Sequence, residues 1–217
     1  MKAANLPEIT SKIIKWGEKN IRSYPWRNSQ DPYRILIAEL LLHRTNADQV
    51  KRVYTNFLLK YPDFESIAES RPKQIEKDLS GLGLRWRARS LHKLSDIVTR
   101  DFKGVLPLDR DSLLSLPGIG EYTASAVISF SQRRPMSLLD TNIVRIIGRI
   151  SGLRVTDSSR RDKRFKCIVQ EMVNHNSTGE LLFSLIDFGA KVCKSRNPDC
   201  LFCPIRNLCQ CAKSKEV

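Results

Sequence analysis

Four cysteines crowd into one stretch of the chain: Cys193, Cys200, Cys203 and Cys209, with six, two and five residues between them. Thiolates at that density wrap either a 4Fe–4S cube or a zinc ion. Zinc sites usually pair two short CxxC-like knuckles, so the uneven spacing suits a cubane better. Cys211 reads as a spare thiol beside the set, and Cys167, inside a helical pattern, as a core residue. Lys191, Lys194, Arg196 and Arg206 make the loop basic, a surface suited to phosphates. The metal group then serves as a staple that shapes a contacting loop.

A second constellation is LPGIGEYT, residues 116–123. Pro117 closes one helical segment, Gly118 and Gly120 make a tight turn, and a new helix opens at about residue 119. Glycines let backbone N–H groups point outward with no side chain in the way. Together with a helix N-terminus they form an anion site suited to a DNA phosphate. The plainer alternative is a simple connection between helices. Asp140 follows, between Leu139 and the helical run TNIVRIIGRI. Aspartate before a helix is ordinarily an N-cap. Among so many cations, and one helix beyond the hairpin, it reads as more. A fixed carboxylate stabilises the positive charge that builds on a sugar when an N-glycosidic bond breaks, and it orients or deprotonates the attacking water.

Such residues need a scaffold, and helical periodicity supplies nearly all of it. YRILIAELLL (33–42) is apolar all round and should be buried, with Asp31-Pro32 as its start signal. Residues 46–60 carry Val50, Val53, Tyr54, Phe57 and Leu58 at helical spacing. Arg71-Pro72 starts another segment, and Gly81-Leu82-Gly83 breaks the chain. The run from about Arg85 to Thr99 is a strongly basic helix, with Arg85, Arg87, Arg89, His92 and Lys93. Residues 119–131, 140–150, 161–174 and 180–192 complete an all-α pattern. The 217-residue chain carries 37 Lys+Arg against 23 Asp+Glu, a formal charge of +14, which points to a polyanionic partner. No apolar signal segment and no membrane-length apolar run are visible, so a reducing, cytoplasmic setting is expected, and with it metal binding rather than disulfides.

With those residues in view, the chain resembles the endonuclease III superfamily of helix–hairpin–helix DNA glycosylases. The likeness rests on LPGIGEYTASAV, LLDTNIVRIIGRI and the four-cysteine loop, and it covers nearly the whole chain. YPWRNSQDPYRILIAELLLHRT (24–45) and GLGLRWRARSLHKL (81–94) are most similar to adenine glycosylases of the MutY type and thymine mismatch glycosylases of the Mig type. The resemblance implies an all-α fold of two helical domains with DNA in the cleft between them. A six-helix barrel with the hairpin would occupy residues 28–134, and a discontinuous 4Fe–4S cluster domain residues 1–27 and 135–217. It implies double-stranded DNA as partner, a flipped target nucleotide, a monomer, no membrane, and a nucleoid-associated place in a prokaryotic cytoplasm.

Residue by residue, the resemblance makes Asp140 the catalytic aspartate and Gly118 and Gly120 the phosphate clamp. Tyr122 stands where strand-cutting relatives place a lysine nucleophile, and a phenol cannot form a Schiff base. A monofunctional glycosylase without strong lyase action is therefore expected. Glu39 matches a pocket glutamate; its bland alternative is a buried carboxylate satisfied by neighbours. His43-Arg44 replaces the Gln-Gln of adenine enzymes and would enter the stack near the widowed base. Leu84 would be the second wedge. For both, ordinary loop packing is the alternative. The sequence given stops eight residues past Cys209, with no 8-oxoguanine domain after it. That and His43-Arg44 favour thymine or uracil opposite guanine over adenine opposite guanine or 8-oxoguanine. A non-catalytic DNA-binding module with a structural cluster is the reading from another class, and a zinc protein the rival for the cysteines.

Overall fold

Helix starts in this chain are set by its prolines and short polar side chains. Asp31 accepts the N–H groups of Tyr33 and Arg34, with Pro32 in the first turn, where its missing N–H costs nothing. Asn46 accepts from Asp48 N–H at 2.8 Å, and Asp109 from Ser112 N–H at 2.8 Å. Asp63 and Ser66 close a reciprocal capping box. The resulting helices, in chain order, are α1 Leu6–Asn20, α2 Pro32–Leu42, α3 Ala47–Lys60, α4 Phe64–Ala68, α5 Pro72–Asp78 and α6 Arg85–Phe102. After them come α7 Arg110–Ser115, α8 Glu121–Gln132, α9 Thr141–Ser151, α10 Lys163–Asn174, α11 Thr178–Lys191 and α12 Gln210–Lys213. This is a computed structural model, and it describes residues 5–83, 85–174 and 178–214. No strand occurs among the described residues, so the expected all-α class holds. No described helix is long and apolar enough to cross a membrane.

The chain divides into two compact units, Ser23–Gln132 and the pair Met1–Arg22 with Arg133–Val217. In the first, α2 is the central post. Leu36, Ile37 and Leu41 are fully buried, and α2 packs on α3 and on α8, which brings Ala124, Ala126, Val127 and Ile128. α6 packs on α4 and α5. Tyr33 Oη donates to the Tyr61 carbonyl and Tyr54 Oη to the Arg34 carbonyl at 2.9 Å, so the phenols buried among these helices are satisfied.

In the second unit α1 lies against α11, close enough that a Cβ on Gly17 would fall 2.0 Å from Ser184 Oγ. Trp16 meets Phe188 edge-on at 5.3 Å. α9 packs on α10, α11 and α12 through Ile143, Ile146, Ile147 and Ile150. Cys167 is exposed, against expectation. α10 buries Phe165, Val169, Met172 and Val173, and residue 167 sits two positions from the nearest of these, on the opposite face.

A buried ion pair ties α11 to the end of the first segment. Asp187 is 0% exposed. Its carboxylate accepts Arg22 Nε at 2.9 Å, Arg22 Nη2 at 2.6 Å and the Arg22 backbone N–H at 2.7 Å. Asp187→Ala should cost about 2–3 kcal/mol in denaturant unfolding, below the range for a fully buried pair because the guanidinium keeps some water. A loss under about 0.5 kcal/mol, the scale of a surface pair, would show that the pair does not hold this end of the chain.

Candidate functional site

Asp140 lies at the N-terminus of α9, and of the two roles weighed for it the cap is the one the geometry displays. Its Oδ1 accepts Ile143 N–H at 2.7 Å, the N-cap bond. Its Oδ2 accepts Asn142 Nδ2 at 3.0 Å. Each carboxylate oxygen is thereby fixed. Burial raises its pKa above the usual carboxylate range, against the lowering effect of the Ile143 and Asn142 hydrogen bonds and of Arg145. Asp140 is part-exposed at the tip of α9, with a donor on each carboxylate oxygen.

Behind Asn142 runs a chain of contacts that spacing alone did not single out. Arg145 Nη2 donates to Asn142 Oδ1 and to the Gly189 carbonyl, both at 2.8 Å, and Arg145 Nε to the Cys193 carbonyl at 2.9 Å. One turn on, Arg149 Nη1 donates to the Lys194 carbonyl at 2.7 Å and lies 3.3 Å from Cys193 Sγ. Arg149 Nη2 reaches the Ser195 carbonyl at 3.1 Å, and Cys209 Sγ points at the Arg149 carbonyl. One face of α9 thus holds the carboxylate at its tip and the cysteine loop along its flank. The signal was the i, i+4 arginine pair opposite the isoleucine stripe. Gly189 lets α11 come this near: a Cβ there would stand 2.7 Å from the Cβ of Asn142.

The cysteines are free thiols, and Cys193, Cys200, Cys203 and Cys209 are all partly buried. Burial, then the neighbouring Cys193, Cys209 and Cys200, push the Cys203 thiol up to about 11. A group that senses all three others sits amid the set. Among the described residues no group of three or more His, Cys, Asp or Glu is placed to hold a metal ion. Lys194 and Arg196 are exposed, while Lys191 Nζ donates to the Asn20 carbonyl. Leu201 and Phe202, 76% and 82% exposed at the loop tip, went unremarked in the sequence.

In the other unit, Gly118 takes φ +84, a left-handed conformation that favours glycine. Ile119 N–H closes the turn onto the Leu116 carbonyl at 3.3 Å. Gly120 behaves differently. Its φ is not positive, its carbonyl accepts Ala124 N–H at 2.9 Å, and a Cβ added there would meet nothing within 4 Å. α8 therefore opens at Glu121 rather than 119. Tyr122 is part-exposed in its first turn. Glu39 is part-buried on α2, and His43 and Arg44 are exposed just beyond that helix. His43, Arg87 and Gly118 line one small cavity with Trp86 and Pro117, so the α2 turn and the hairpin are neighbours. Leu84 lies outside the described residues.

Residues 37–170 match the family model of the HhH-GPD superfamily base excision DNA repair proteins. The chain belongs to that family. It is 35% identical to the thymine/uracil-DNA glycosylase of Methanothermobacter thermautotrophicus, across 93% of this chain and 91% of that one. It is 38% identical to the thymine/uracil-DNA glycosylase of Pyrobaculum aerophilum, across 90% and 87%. Its fold superposes on the solved structure of a thermostable thymine-DNA glycosylase with a TM-score of 0.90 at 33% identity, covering 97% of this chain and 98% of that one. Membership of the HhH-GPD superfamily, with these relatives, makes the chain a DNA glycosylase and DNA its partner.

Two outcomes follow from the Asp140 geometry. A carboxylate whose pKa is raised by burial destabilises the fold while charged, and stability grows as pH falls through the raised value. Asp140→Asn removes that charge and keeps a good cap. Its melting temperature at neutral pH should equal or exceed wild type, while base release falls about 10²–10³-fold. A variant that melts lower and still releases base would reverse this assignment. Gly189→Ala forces its new methyl into Asn142 and should cost about 1–3 kcal/mol. Base release should fall beyond what the unfolded fraction explains, a comparison made at a temperature where the variant is folded.

Proposed function

We propose that the protein is a monofunctional glycosylase that hydrolyses the N-glycosidic bond of thymine or uracil opposite guanine in duplex DNA. The observation that carries the chemistry is Asp140, a part-buried carboxylate with both oxygens oriented by Ile143 and Asn142. As the base leaves, positive charge grows on the sugar, and a fixed carboxylate away from bulk water stabilises it more strongly than an exposed one. A raised pKa also suits the group to take a proton from the attacking water. The target reaches it by leaving the base stack, at the cost of unpairing, which is least for a mispair. The named activity of the relatives at 35% and 38% identity supports thymine and uracil as targets.

The remaining assignments follow from the same reading. The hairpin N–H groups at Gly118 and Gly120 bind a DNA phosphate, and the open space at Gly120 suits a backbone that approaches from outside the protein. Glu39 contacts the edge of the flipped base. His43 and Arg44 meet the strand opposite it. Tyr122 supplies no amine, so hydrolysis is not followed by Schiff-base strand cutting.

Cys193, Cys200, Cys203 and Cys209 hold a 4Fe–4S cluster. Their spacing of six, two and five residues, without two paired CxxC-like knuckles, suits a cubane better than a tetrahedral zinc. When bound, the group would cross-link the loop and hold the four cysteines as thiolates. Lys194 and Arg196 then present their charge to phosphates.

The decisive measurement is base release from duplexes holding T:G, U:G, A:G, A:8-oxoguanine or thymine glycol. Release from T:G and U:G, without an efficient borohydride-trapped covalent complex, is expected. Adenine release alone would overturn the base assignment, and an efficient trap the monofunctional one. The rate should decline on the acid side at a pH above the usual carboxylate range, as Asp140 takes up its proton.

A further inference from the structure

α6 begins with three arginines among its first five residues, a pattern that reads as basic surface. The fold treats one of them otherwise. Arg87 is 2% exposed, while Arg89 on the same helix faces solvent. Burial lowers the Arg87 pKa, and its described hydrogen bonds include no carboxylate. Its Nε has no partner among the described residues. A buried cation with an unpaired N–H is expensive, and an apolar side chain of similar volume would fill the place at lower cost. Stability of the core is therefore a poor reason for an arginine here.

Its acceptors supply a better one. Arg87 Nη1 donates to the Leu41 carbonyl at 2.9 Å, and Nη2 to the His43 carbonyl and to Thr45 Oγ1 at 3.0 Å. Leu41 carries one of the last carbonyls of α2, where the helix dipole favours a cation. His43 and Thr45 flank Arg44, whose φ of +60 places it in the left-handed region. That conformation is uncommon for a side chain of this kind and persists only where surroundings impose it. Thr45 N–H returns to the Leu42 carbonyl at 3.1 Å, closing the turn. The His43 ring meets Trp86, the neighbour of Arg87, edge-on at 6.0 Å. A planar guanidinium thus grips the chain before and after the strained residue from inside, and the side chains of His43 and Arg44 stay outside, exposed.

We propose that Arg87 is a positioning residue for recognition of the base opposite the target. It acts through the backbone of residues 43–45 to hold His43 and Arg44 where they meet DNA, and it does not touch DNA itself. This rests on the reading of His43 and Arg44 given under Proposed function. A turn ordered in advance spares binding the cost of ordering it, and that gain is specific to contacts the turn makes. Lysine keeps the charge but has no planar fork that spans three acceptors.

The test uses the intact protein and single-turnover release of uracil placed opposite guanine, adenine, cytosine or thymine. Arg87→Lys should lower the U:G over U:A rate ratio by about tenfold, the value of a charge-assisted hydrogen bond or two. Amide hydrogen exchange should quicken at residues 44–46 and stay as in wild type in α8. In a His43→Ala/Arg44→Ala background the same substitution should change the ratio little, because the groups it positions are gone. Thr45→Val, which removes one bond and leaves the core cation, should move the ratio in the same direction by less. An equal, additive loss in both backgrounds overturns the proposal. So does a loosened turn with wild-type selectivity, or a wild-type enzyme indifferent to the opposite base. A wild-type enzyme that releases no uracil in any context instead removes the proposed function itself, and the two failures are told apart by that control.

Discussion

A carboxylate partly withdrawn from water is the constraint around which one unit is arranged. Asp140 keeps a carboxylate at a cost that burial sets, and it does so only because each oxygen has a donor that cannot wander. Ile143 is fixed as backbone within α9. Asn142 is a side chain, and an amide head on a rotatable stem must itself be held. Arg145 does that, and is in turn held by carbonyls of Gly189 and Cys193. The isoleucine face of α9 makes the helix a rigid mount, and its arginine face makes it a buttress for the cysteine loop. The site is thus an ordering of dependencies: core packing fixes the helix, the helix fixes the arginines, and the arginines fix the amide that fixes the charge.

The other unit solves a different electrostatic problem with backbone dipoles. The hairpin presents N–H groups, and the end of α2 presents carbonyls. Under the proposed function the N–H groups at Gly118 and Gly120 take a phosphate. The carbonyls have a resident cation, Arg87, donated by a neighbouring helix. The hairpin and a capped helix end are therefore adjacent, lining one cavity. Neither needs a charged pair at the surface, where salt would weaken it.

Much of this was legible in the residues, for physical reasons that differ by element. The starts of α2 and α5 were marked by proline, and α9 by an aspartate cap, because these residues satisfy or avoid orphan N–H groups through local geometry alone. The left-handed turn at Gly118 was legible for the same reason. α4 was not, since five residues give too little periodicity and its capping box uses serine in place of the usual glutamate or glutamine. Cys167 was misjudged because hydrophobicity says a residue can be buried, while helical phase decides whether it is. The burial of Arg87 was not legible: nothing local distinguishes it from Arg89, and that burial depends on carbonyls 46 and 44 residues earlier. Asn142 and Arg145 were visible as residue types, but their link to Asp140 exists only once α11 and the cysteine loop have docked.

The discontinuity of the second unit carries a consequence for how the chain comes off the ribosome. α1 is made before Ser23–Gln132, yet the helix it packs against, α11, is made after it. At typical rates of synthesis roughly ten to thirty seconds separate the two. Throughout that interval Leu6, Ile9 and Ile13, almost fully buried in the finished fold, lack the helix that will cover them. Ser23–Gln132, contiguous in sequence, has all its partners long before. The growing chain therefore carries an uncovered apolar face on α1 during that interval, bordered by the charged Glu8, Lys12, Lys15 and Glu18 on the same helix.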